Sequence, residues 1–412
     1  MARKIPAMRS HALAYRLGLT MFVVMPILAG LKSIRLPANI TVVVPVLLLA
    51  TLASARSWQR IKHASIADQS LLALCAWMLV YAAVGSNVIA NLPADYGLHL
   101  ASLILLCPLA YYCGRIACQS IEVRDGARLL QMNAAIVLVF TGFKLAFPTF
   151  VASSLGETGS YYQYMGDGLA VAALIAYGIG YRPRLYWAYF LTLALLLAIG
   201  SRASALAFGL GLLFTNRRLF ILFIATSIPV AALVMFMVER GIGGELFGQF
   251  RVLSTVLSLY LDDTVDLSLL ERQEFLSNAF QVIWQHPLFG LIAYEARAGS
   301  LGEYAHNILH MWANFGLIGF LLTLLVLFGA PLERIFGKRL DVSALFDPKP
   351  LLVFCAAELL LFRHPENLVL FYALGAMVSL YKSSSDRIAL PRNHHSTSTP
   401  IATAATNPAT RA

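Results

Sequence analysis

Charged side chains are scarce in this sequence. Asp, Glu, Lys and Arg make up 13% of its 412 residues, whereas hydrophobic residues make up 59% and the mean hydropathy is +0.71. An ordinary soluble domain carries about 25% charged residues, so this deficit argues against a water-soluble fold. The composition is typical of a chain that meets lipid over much of its surface.

Cysteine is also sparse, and its spacing argues against a metal site or a disulfide framework. The five cysteines lie in or beside apolar segments, without the spacing of zinc ligands. We expect them to be small core residues, and the sequence predicts neither a metal site nor a cofactor. The five are Cys75, Cys107, Cys113, Cys118 and Cys355.

Apolar runs recur through most of the chain. A helix needs roughly 20 residues to cross a hydrocarbon core. The first run is too long for a cleavable signal peptide and lacks a small-residue cleavage site, so we expect it to be the first membrane helix. The pattern predicts an all-α polytopic membrane protein of about twelve helices, forming one transmembrane domain over 1–382. The predicted spans are 12–31, 37–55, 66–90, 96–117, 127–147, 165–181, 185–200, 203–216, 219–238, 306–330, 350–362 and 367–381.

The placement of positive charge predicts the orientation. The formal net charge is +10, and most of the basic residues between the predicted spans fall on one side. The positive-inside rule makes that side cytoplasmic, so both termini are expected in the cytoplasm. Membrane topology thus accounts for the basic excess, and no nucleic-acid partner is predicted. The residues on this side are Arg3, Lys4, Arg9, Arg56, Arg60, Lys62, Arg115, Arg124, Arg128, Arg182, Arg184, Arg217, Arg218, Arg334, Lys338 and Arg339.

Two connections on the outer side are longer than a tight turn. They are the Gly-, Ser- and Tyr-rich stretch 148–164 and the larger segment 239–305. The second contains an amphipathic piece, Ser268 to Trp284, which predicts a partly helical loop lying on the membrane surface. The tail 383–412 is low in complexity and is predicted to be disordered in the cytoplasm.

Arg202 stands between two apolar spans at the outer side, in the segment Gly200 to Ser204. An arginine costs roughly 2.5–3.5 kcal/mol at the bilayer centre and less near the interface. Two interpretations stay open from the residues alone. The guanidinium either anchors a helix end by reaching the interface, or it binds an anion, since its fork of donors matches phosphate oxygens.

Arg272 opens the amphipathic piece of the large outer loop, with Glu271 and Glu274 as neighbours. An exposed ion pair with either carboxylate is the simpler interpretation, and anion binding is the alternative. The segment His286 to Gly290 then ends the helix, because it contains Pro287 and a final glycine. We expect His286 to shape that turn.

His306 stands where the outer loop re-enters the membrane, followed by Asn307. Histidine exchanges a proton near neutral pH, so it suits the activation of a hydroxyl nucleophile. Capping of the following helix is the alternative. His306 and His310 are spaced like a metal pair, but the Glu of a zinc-protease motif is missing after His306, and no metal is predicted.

Together these segments resemble the O-antigen ligase and polymerase superfamily of bacterial envelope glycosyltransferases. Their order, their spacing and their common side of the membrane carry the resemblance, which covers about residues 150–330 in motifs and the whole chain in helix pattern. The matching segments are Ser201-Arg202, Glu271-Arg272 with His286 to Gly290, and His306-Asn307 with Asn314 to Gly319.

The resemblance implies a GT-C-like fold and a metal-independent, inverting glycosyl transfer at the periplasmic face of the bacterial inner membrane. Arg202 and Arg272 would grip the diphosphate of an undecaprenyl-linked glycan and stabilise it as it leaves. His306 would deprotonate the acceptor hydroxyl, with Asn307 orienting the site. The implied partners are the lipid-linked donor, the lipid A-core acceptor and membrane lipids.

Asp167 departs from the family pattern, because many relatives have an Asn after Pro at this place. The segment Tyr161 to Gly168 opens the sixth span. Two roles for Asp167 stay open, pairing with an arginine of the site and capping the helix start. Tyr164 would stack on a sugar ring, or it would belong to the aromatic belt of the interface.

The ligase is favoured over the polymerase of the same superfamily. The chain has one large outer loop, with Arg272 ahead of the re-entry at His306, whereas polymerases more often carry two such loops, and 148–164 lacks Arg and Lys. A transporter of a lipid-linked anion is a third possibility. Transporters of that kind show paired halves with broken helices at matching places, and this sequence has no clear internal repeat.

Overall fold

Every element that the computed structural model describes is a helix. The described residues are 16–20, 22–28, 31, 40–54, 64–92, 94–118, 121–146, 161–180, 187–214, 221, 225, 236, 240, 267–297, 307–336, 347–362 and 367–388. The helices of the first half are α1 Arg16–Leu28, α2 Ile40–Ser54, α3 Ile66–Val84, α4 Ser86–Ala90, α5 Ala94–Ala101, the π-helix π1 Ser102–Leu106, α6 Cys107–Cys118 and α7 Val123–Ala146. Those of the second half are α8 Tyr161–Gly178, α9 Trp187–Ile199, α10 Arg202–Leu213, α11 Leu267–Gln285, α12 Tyr294–Arg297, α13 Leu309–Phe336, α14 Lys349–Ala357, the π-helix π2 Glu358–Phe362 and α15 Leu368–Ile388.

The prediction of an all-helical chain with long apolar helices is confirmed. Within the described ranges, four helical stretches are long and apolar enough to cross a membrane: Ile66–Val84, Tyr96–Cys118, Val123–Phe143 and Leu309–Glu333. Shorter apolar helices occupy several further predicted spans. These helices are compatible with a membrane location, while the count of about twelve spans stays a prediction. The predicted span 219–238 lies outside the described residues except at isolated positions.

Several predicted boundaries are wrong. The span 66–90 is broken at Gly85, which separates α3 from α4. α7 begins at Val123, so Arg124 and Arg128 lie in its first turns rather than in a connection. α15 continues to Ile388, so the first residues of the predicted disordered tail are helical. The last two errors have one cause, since helices extend past the apolar stretch into polar sequence at their ends.

Helix packing depends on small residues. α6 crosses α15 at Gly114 and Gly375, where a Cβ at either glycine would collide with the backbone of Tyr372 or Tyr111. Helices in a membrane-type bundle associate through such close backbone contact. One apolar core runs from Phe22 to Tyr381, and it includes four of the cysteines as buried side chains, as expected: Cys107, Cys113, Cys118 and Cys355.

A buried ion pair joins α3 to α6. Arg115 is only 1% exposed and contacts the Asp68 carboxylate, which also accepts hydrogen bonds from the Tyr111 hydroxyl at 3.0 Å and from the Ser65 hydroxyl at 2.8 Å. Glu333, near the end of α13, accepts a hydrogen bond from the Ile66 backbone at the same end of the bundle. The prediction that Arg115 belongs to the cytoplasmic connections is therefore corrected, because its side chain lies inside the helix bundle.

Candidate active site

Arg202 is the first residue of α10. Gly200 ends the preceding helix with φ of 88°, a left-handed backbone conformation that glycine adopts without strain, and its amide donates to the Leu197 carbonyl at 3.1 Å. Ser201 is buried and precedes Arg202, whose side chain is half-buried. The guanidinium thus stands at a helix N-terminus, where the helix dipole also favours an anion.

Asp167 lies inside α8, and its carboxylate joins three helices. The Ser204 hydroxyl of α10 donates to Asp167 Oδ1, and Asn367 Nδ2, just before α15, donates to Oδ2 at 2.5 Å. Because α8 begins at Tyr161, Asp167 is in the second turn and does not cap the helix start. The carboxylate is 2% exposed. Asp167 therefore contributes to the joint between α8, α10 and α15.

π2 connects this joint to the segment where the chain re-enters the bundle. α14 packs beside α10, and a Cβ at Gly211 would lie 2.9 Å from the Pro350 carbonyl oxygen. Leu359 of π2 lies nine residues after Pro350, or about 13 Å along the helix axis, and Arg202 lies nine residues before Gly211 in α10. Leu359 and Arg202 are thus equally far from the point where the two helices approach each other. The Leu359 carbonyl accepts a hydrogen bond from the Ile308 amide at 2.7 Å. The start of α13 is thus fixed to the element that packs beside α10.

Asn307 caps α13. Its Oδ1 accepts a hydrogen bond from the Leu309 amide at 3.0 Å, and its carbonyl accepts one from the His310 amide at 3.1 Å. Its side chain is half-buried. His306, the predicted base, directly precedes Asn307 and lies outside the described residues. The structure therefore describes the residue beside the predicted base and its attachment to π2, through Ile308.

The two glycine-ended motifs of the resemblance dock on each other. The Pro287 carbonyl accepts hydrogen bonds from Trp312 Nε1 at 2.8 Å and from the Leu317 amide at 3.0 Å. α13 is kinked at Gly316, whose φ of 68° and ψ of −173° are not helical. His286 is exposed and its carbonyl accepts a hydrogen bond from the Gly290 amide at 3.0 Å, so it lies in the turn that ends α11 as predicted.

A buried polar contact completes this docking. Asn314 Oδ1 accepts a hydrogen bond from the Tyr294 amide of α12 at 3.0 Å, and its Nδ2 lies 2.9 Å from His310 Nε2. Around it, Ala279 and Ile283 of α11 pack with Tyr294 and Ala313. His310 thus contributes to helix packing. Within the described ranges, no group of three His, Cys, Asp or Glu side chains is placed to hold a metal.

Arg272 is exposed on α11, and Glu271 precedes it in the same helix. Ala279 is seven positions after Arg272, which is two turns, so both lie on the helix face that packs against α13. Two turns correspond to about 10 Å along the axis. Arg272 therefore extends the docked face of α11 beyond its contact with α13. Tyr164 is half-buried on α8, one turn before Asp167.

The predicted site residues fall into two groups that meet at α13. Arg202, Asp167 and Tyr164 belong to the joined helices α10 and α8, whereas Arg272 and Glu271 belong to α11. The start of α13, with Asn307, links the groups, because α11 packs on α13 and Ile308 bonds to π2. No described contact tests whether one ligand can touch both arginines, so that stays a prediction.

Three residues near the site were not singled out from the sequence. Ser204 and Asn367 bind Asp167, and Glu358 is a buried carboxylic acid in π2. Asn367 carries a recognisable signal, because an Asn directly before an apolar helix is a preferred cap. Ser204 and Glu358 lie in apolar runs, and Asp167, the partner of Ser204, is 37 positions away in sequence, so local patterns do not identify them.

Comparison of the chain with models of known protein families gave no match, and comparison with characterised proteins gave none either. The functional interpretation therefore depends on these residues and on their arrangement in the helix bundle.

Proposed function

We propose that this protein is an O-antigen ligase, which transfers a glycan from undecaprenyl diphosphate to the lipid A-core oligosaccharide. The observation that carries the proposal is that Arg202 begins α10, while the re-entry segment is bonded through Ile308 to π2, which continues the helix packed beside α10. Arg202, the proposed anion-binding residue, and the residue next to His306 are thus attached to one framework. That is the arrangement that a phosphate-linked donor and a hydroxyl acceptor require.

The proposed reaction is one in-line displacement. His306 takes the proton from an acceptor hydroxyl, and the hydroxyl oxygen forms a bond to the anomeric carbon of the donor sugar. The bond from that carbon to the diphosphate oxygen breaks, and undecaprenyl diphosphate leaves with the bonding electrons. Arg202 and Arg272 stabilise the charge that develops on the leaving diphosphate. The configuration at the anomeric carbon is inverted, and the reaction requires neither nucleotide nor metal.

The proposed location is the bacterial inner membrane, with about twelve spans, both termini in the cytoplasm and the site in the periplasm. The contacts at the two ends of α13 support placing the site and the basic connections on opposite faces of the membrane. Its start is bonded to π2, whereas Glu333 meets the backbone of Ile66 beside the Asp68–Arg115 pair. The apolar stretch Leu309–Glu333 has 25 residues, or about 36 Å, enough to separate the two faces of a bilayer.

α11 is proposed to lie on the periplasmic surface of the inner membrane. One flank of this helix packs on α13, and the neighbouring flank exposes Phe280 and Trp284, the latter by 88%. Exposed polar residues such as Glu274, Asn278 and Gln285 lie on a further face of the helix, away from both. A helix with an exposed aromatic flank next to a packed face and a polar top fits the interface between lipid and water. This placement would hold Arg272 at headgroup level.

A repeat-unit polymerase is the alternative within the same superfamily, since it uses the same donor, and a transporter of a lipid-linked anion is the alternative outside it. The three differ in the acceptor. The ligase joins the glycan to the lipid A-core, the polymerase joins it to a second lipid-linked repeat, and the transporter makes no glycosidic bond.

Complementation tests the proposal. The gene is introduced into a strain that makes lipid-linked O-antigen but lacks its ligase, and lipopolysaccharide is examined on a gel. We expect a restored full-length ladder, and its loss in Arg202→Ala, Arg272→Ala and His306→Ala at unchanged membrane levels. Arg128→Ala, at an exposed arginine of α7, is the matched control and should keep the ladder. Failure in this strain, with a restored ladder in a second strain that lacks only the repeat-unit polymerase, would replace the ligase by the polymerase.

A further inference from the structure

Each carboxylate oxygen of Asp167 accepts a hydrogen bond from a side chain of another segment. Ser204 donates to one carboxylate oxygen and Asn367 to the other. The orientation of the Asn367 amide is fixed, because its Oδ1 accepts hydrogen bonds from the amides of Val369 at 3.0 Å and Leu370 at 3.3 Å. The side-chain nitrogen of Asn367 must therefore face Asp167, and the carboxylate accepts from both neighbours.

The same logic orders the hydrogen bond between the two serines. Ser201 Oγ lies 2.6 Å from Ser204 Oγ. A hydroxyl has one proton to donate, and that of Ser204 is given to Asp167. Ser201 must then be the donor to Ser204. A directed chain of hydrogen bonds thus runs from Ser201, the residue before Arg202, through Ser204 to the carboxylate.

The backbone of α8 also approaches the Ser201 side chain directly, at Gly166. A Cβ at Gly166 would lie 2.5 Å from both the Cβ and the Oγ of Ser201. The Ser201 side chain is therefore enclosed between the backbone of Gly166 and the hydroxyl of Ser204. The Ser201 carbonyl accepts the first helical hydrogen bond of α10, from the Ala205 amide at 3.0 Å. This bond and the side-chain contacts of Ser201 together fix where α10 begins and where the Arg202 side chain starts.

We infer that Asp167 is a positioning residue, which fixes the peptide carrying Arg202 through Ser204 and Ser201 and holds the guanidinium where an anionic phosphate group binds. This inference rests on the proposed anion-binding role of Arg202. It differs from direct binding of substrate by Asp167, because the carboxylate acts through α10 and its charge is used for hydrogen bonds inside the protein.

An exchange of the two side chains tests the inference. In Asp167→Asn, the amide oxygen can face Asn367 only if the amide nitrogen faces Ser204, so the carboxylate acceptor at the end of the Ser201–Ser204 chain is lost and the chain must reverse its direction. Asp167→Asn combined with Asn367→Asp restores every donor–acceptor pair, and Asp at 367 still caps α15. We expect the single variant to raise the apparent KM for lipid-linked donor by about tenfold. The double variant should return to within about threefold of the original value.

Hydrogen exchange of the amides in 200–206, followed by mass spectrometry of the full-length protein, gives a readout that does not depend on activity. Exchange should be faster in Asp167→Asn and return to the original rate in the double variant. Thr192→Val is the matched control, because the buried Thr192 hydroxyl donates only within α9, to Ala188 at 2.7 Å. If Asp167→Asn does not reach the membrane, Ser204→Ala removes the same link and keeps the carboxylate, and it should reproduce the single variant.

The possible outcomes distinguish the positioning role of Asp167 from the proposed ligase function. Unchanged exchange in both Asp167→Asn and Ser204→Ala overturns the positioning role. Restored exchange without a restored KM in the double variant also overturns it, since the charge at 167 would then contact the donor itself. Restored exchange in a protein that binds lipid-linked donor through Arg202 but forms no ladder in the complementation strain supports positioning and rejects the ligase.

Discussion

Gly290 and Gly316 lie against each other in left-handed backbone conformations. Their φ angles are 69° and 68°, and a Cβ at Gly290 would stand 2.6 Å from the Gly316 nitrogen. A Cβ at Gly316 would collide with the backbone of Leu288 and Phe289. The turn after α11 can therefore reach the kink of α13 only if both positions are glycine.

Gly316→Ala should undock α11 from α13. The backbone strain alone costs about 1–3 kcal/mol, and the collision adds to it. We expect a lower Tm for the purified protein in detergent, together with loss of glycan transfer, because Arg272 is carried by α11. Gly142→Ala is the control, since a Cβ at Gly142 meets nothing within 4 Å. If the two alanine variants melt together, the docking does not depend on this glycine pair.

The Asp68–Arg115 pair should contribute to stability rather than to the reaction. Arg115→Leu leaves the Asp68 carboxylate buried without its ionic partner, and we expect a loss of about 3 kcal/mol in the free energy of unfolding. Denaturation of the purified protein in detergent measures this change. The double change Asp68→Asn with Arg115→Leu should recover part of the loss, because no isolated charge remains.

The matched control for that series is Arg128→Leu, at an arginine whose side chain is 57% exposed. Arg128 lies 3.9 Å from the Asp125 carboxylate. Such an exposed ion pair contributes at most about 1 kcal/mol, so this variant should melt close to the original protein. Equal stability of the two leucine variants would show that the buried pair does not stabilise the bundle.

Trp284 should report contact of α11 with lipid. We predict that brominated lipids quench the part of the tryptophan fluorescence that is missing in Trp284→Phe. Bromine near the head of the acyl chain should quench more strongly than bromine near its end, since an interfacial helix is buried only about 5–10 Å. Quenching of that part by aqueous iodide, with no effect of brominated lipid, would contradict a surface helix bound to the membrane.

The apolar pattern predicts most of the helices because residues that face lipid and residues that face the protein core are both apolar, so each helix appears as a continuous apolar run. It predicts α11 as well, since Ser268 to Trp284 is amphipathic and the structure has a helix at Leu267–Gln285. It does not predict the break at Gly85 or the π-helices, because these depend on packing between distant segments. Arg115 was assigned to a connection for the same reason, as its partner Asp68 is far away in sequence.

The candidate site is only partly predictable. The exposed or half-buried arginines stand out because charge is rare in this chain, and Asn307 and His306 stand out because they precede a long apolar run, where the sequence predicts re-entry into the membrane. The sequence marks Asp167 as unusual but leaves its role open between pairing with an arginine and capping the helix start. The hydrogen-bond partners of Asp167 are Ser204 in α10 and Asn367 just before α15. The local sequence near Asp167 does not indicate that these residues lie beside it.

Transfer by the purified protein tests the central claim most directly. Undecaprenyl-diphosphate-linked glycan and lipid A-core are the only substrates, in the presence of a chelator, and the new glycolipid is measured. We predict product with the original protein and a loss of roughly 10²–10³-fold with Arg202→Lys, because a lysine keeps the charge but not the fork of donors. Formation of no product by the original protein, or full activity in Arg202→Lys, would contradict the account.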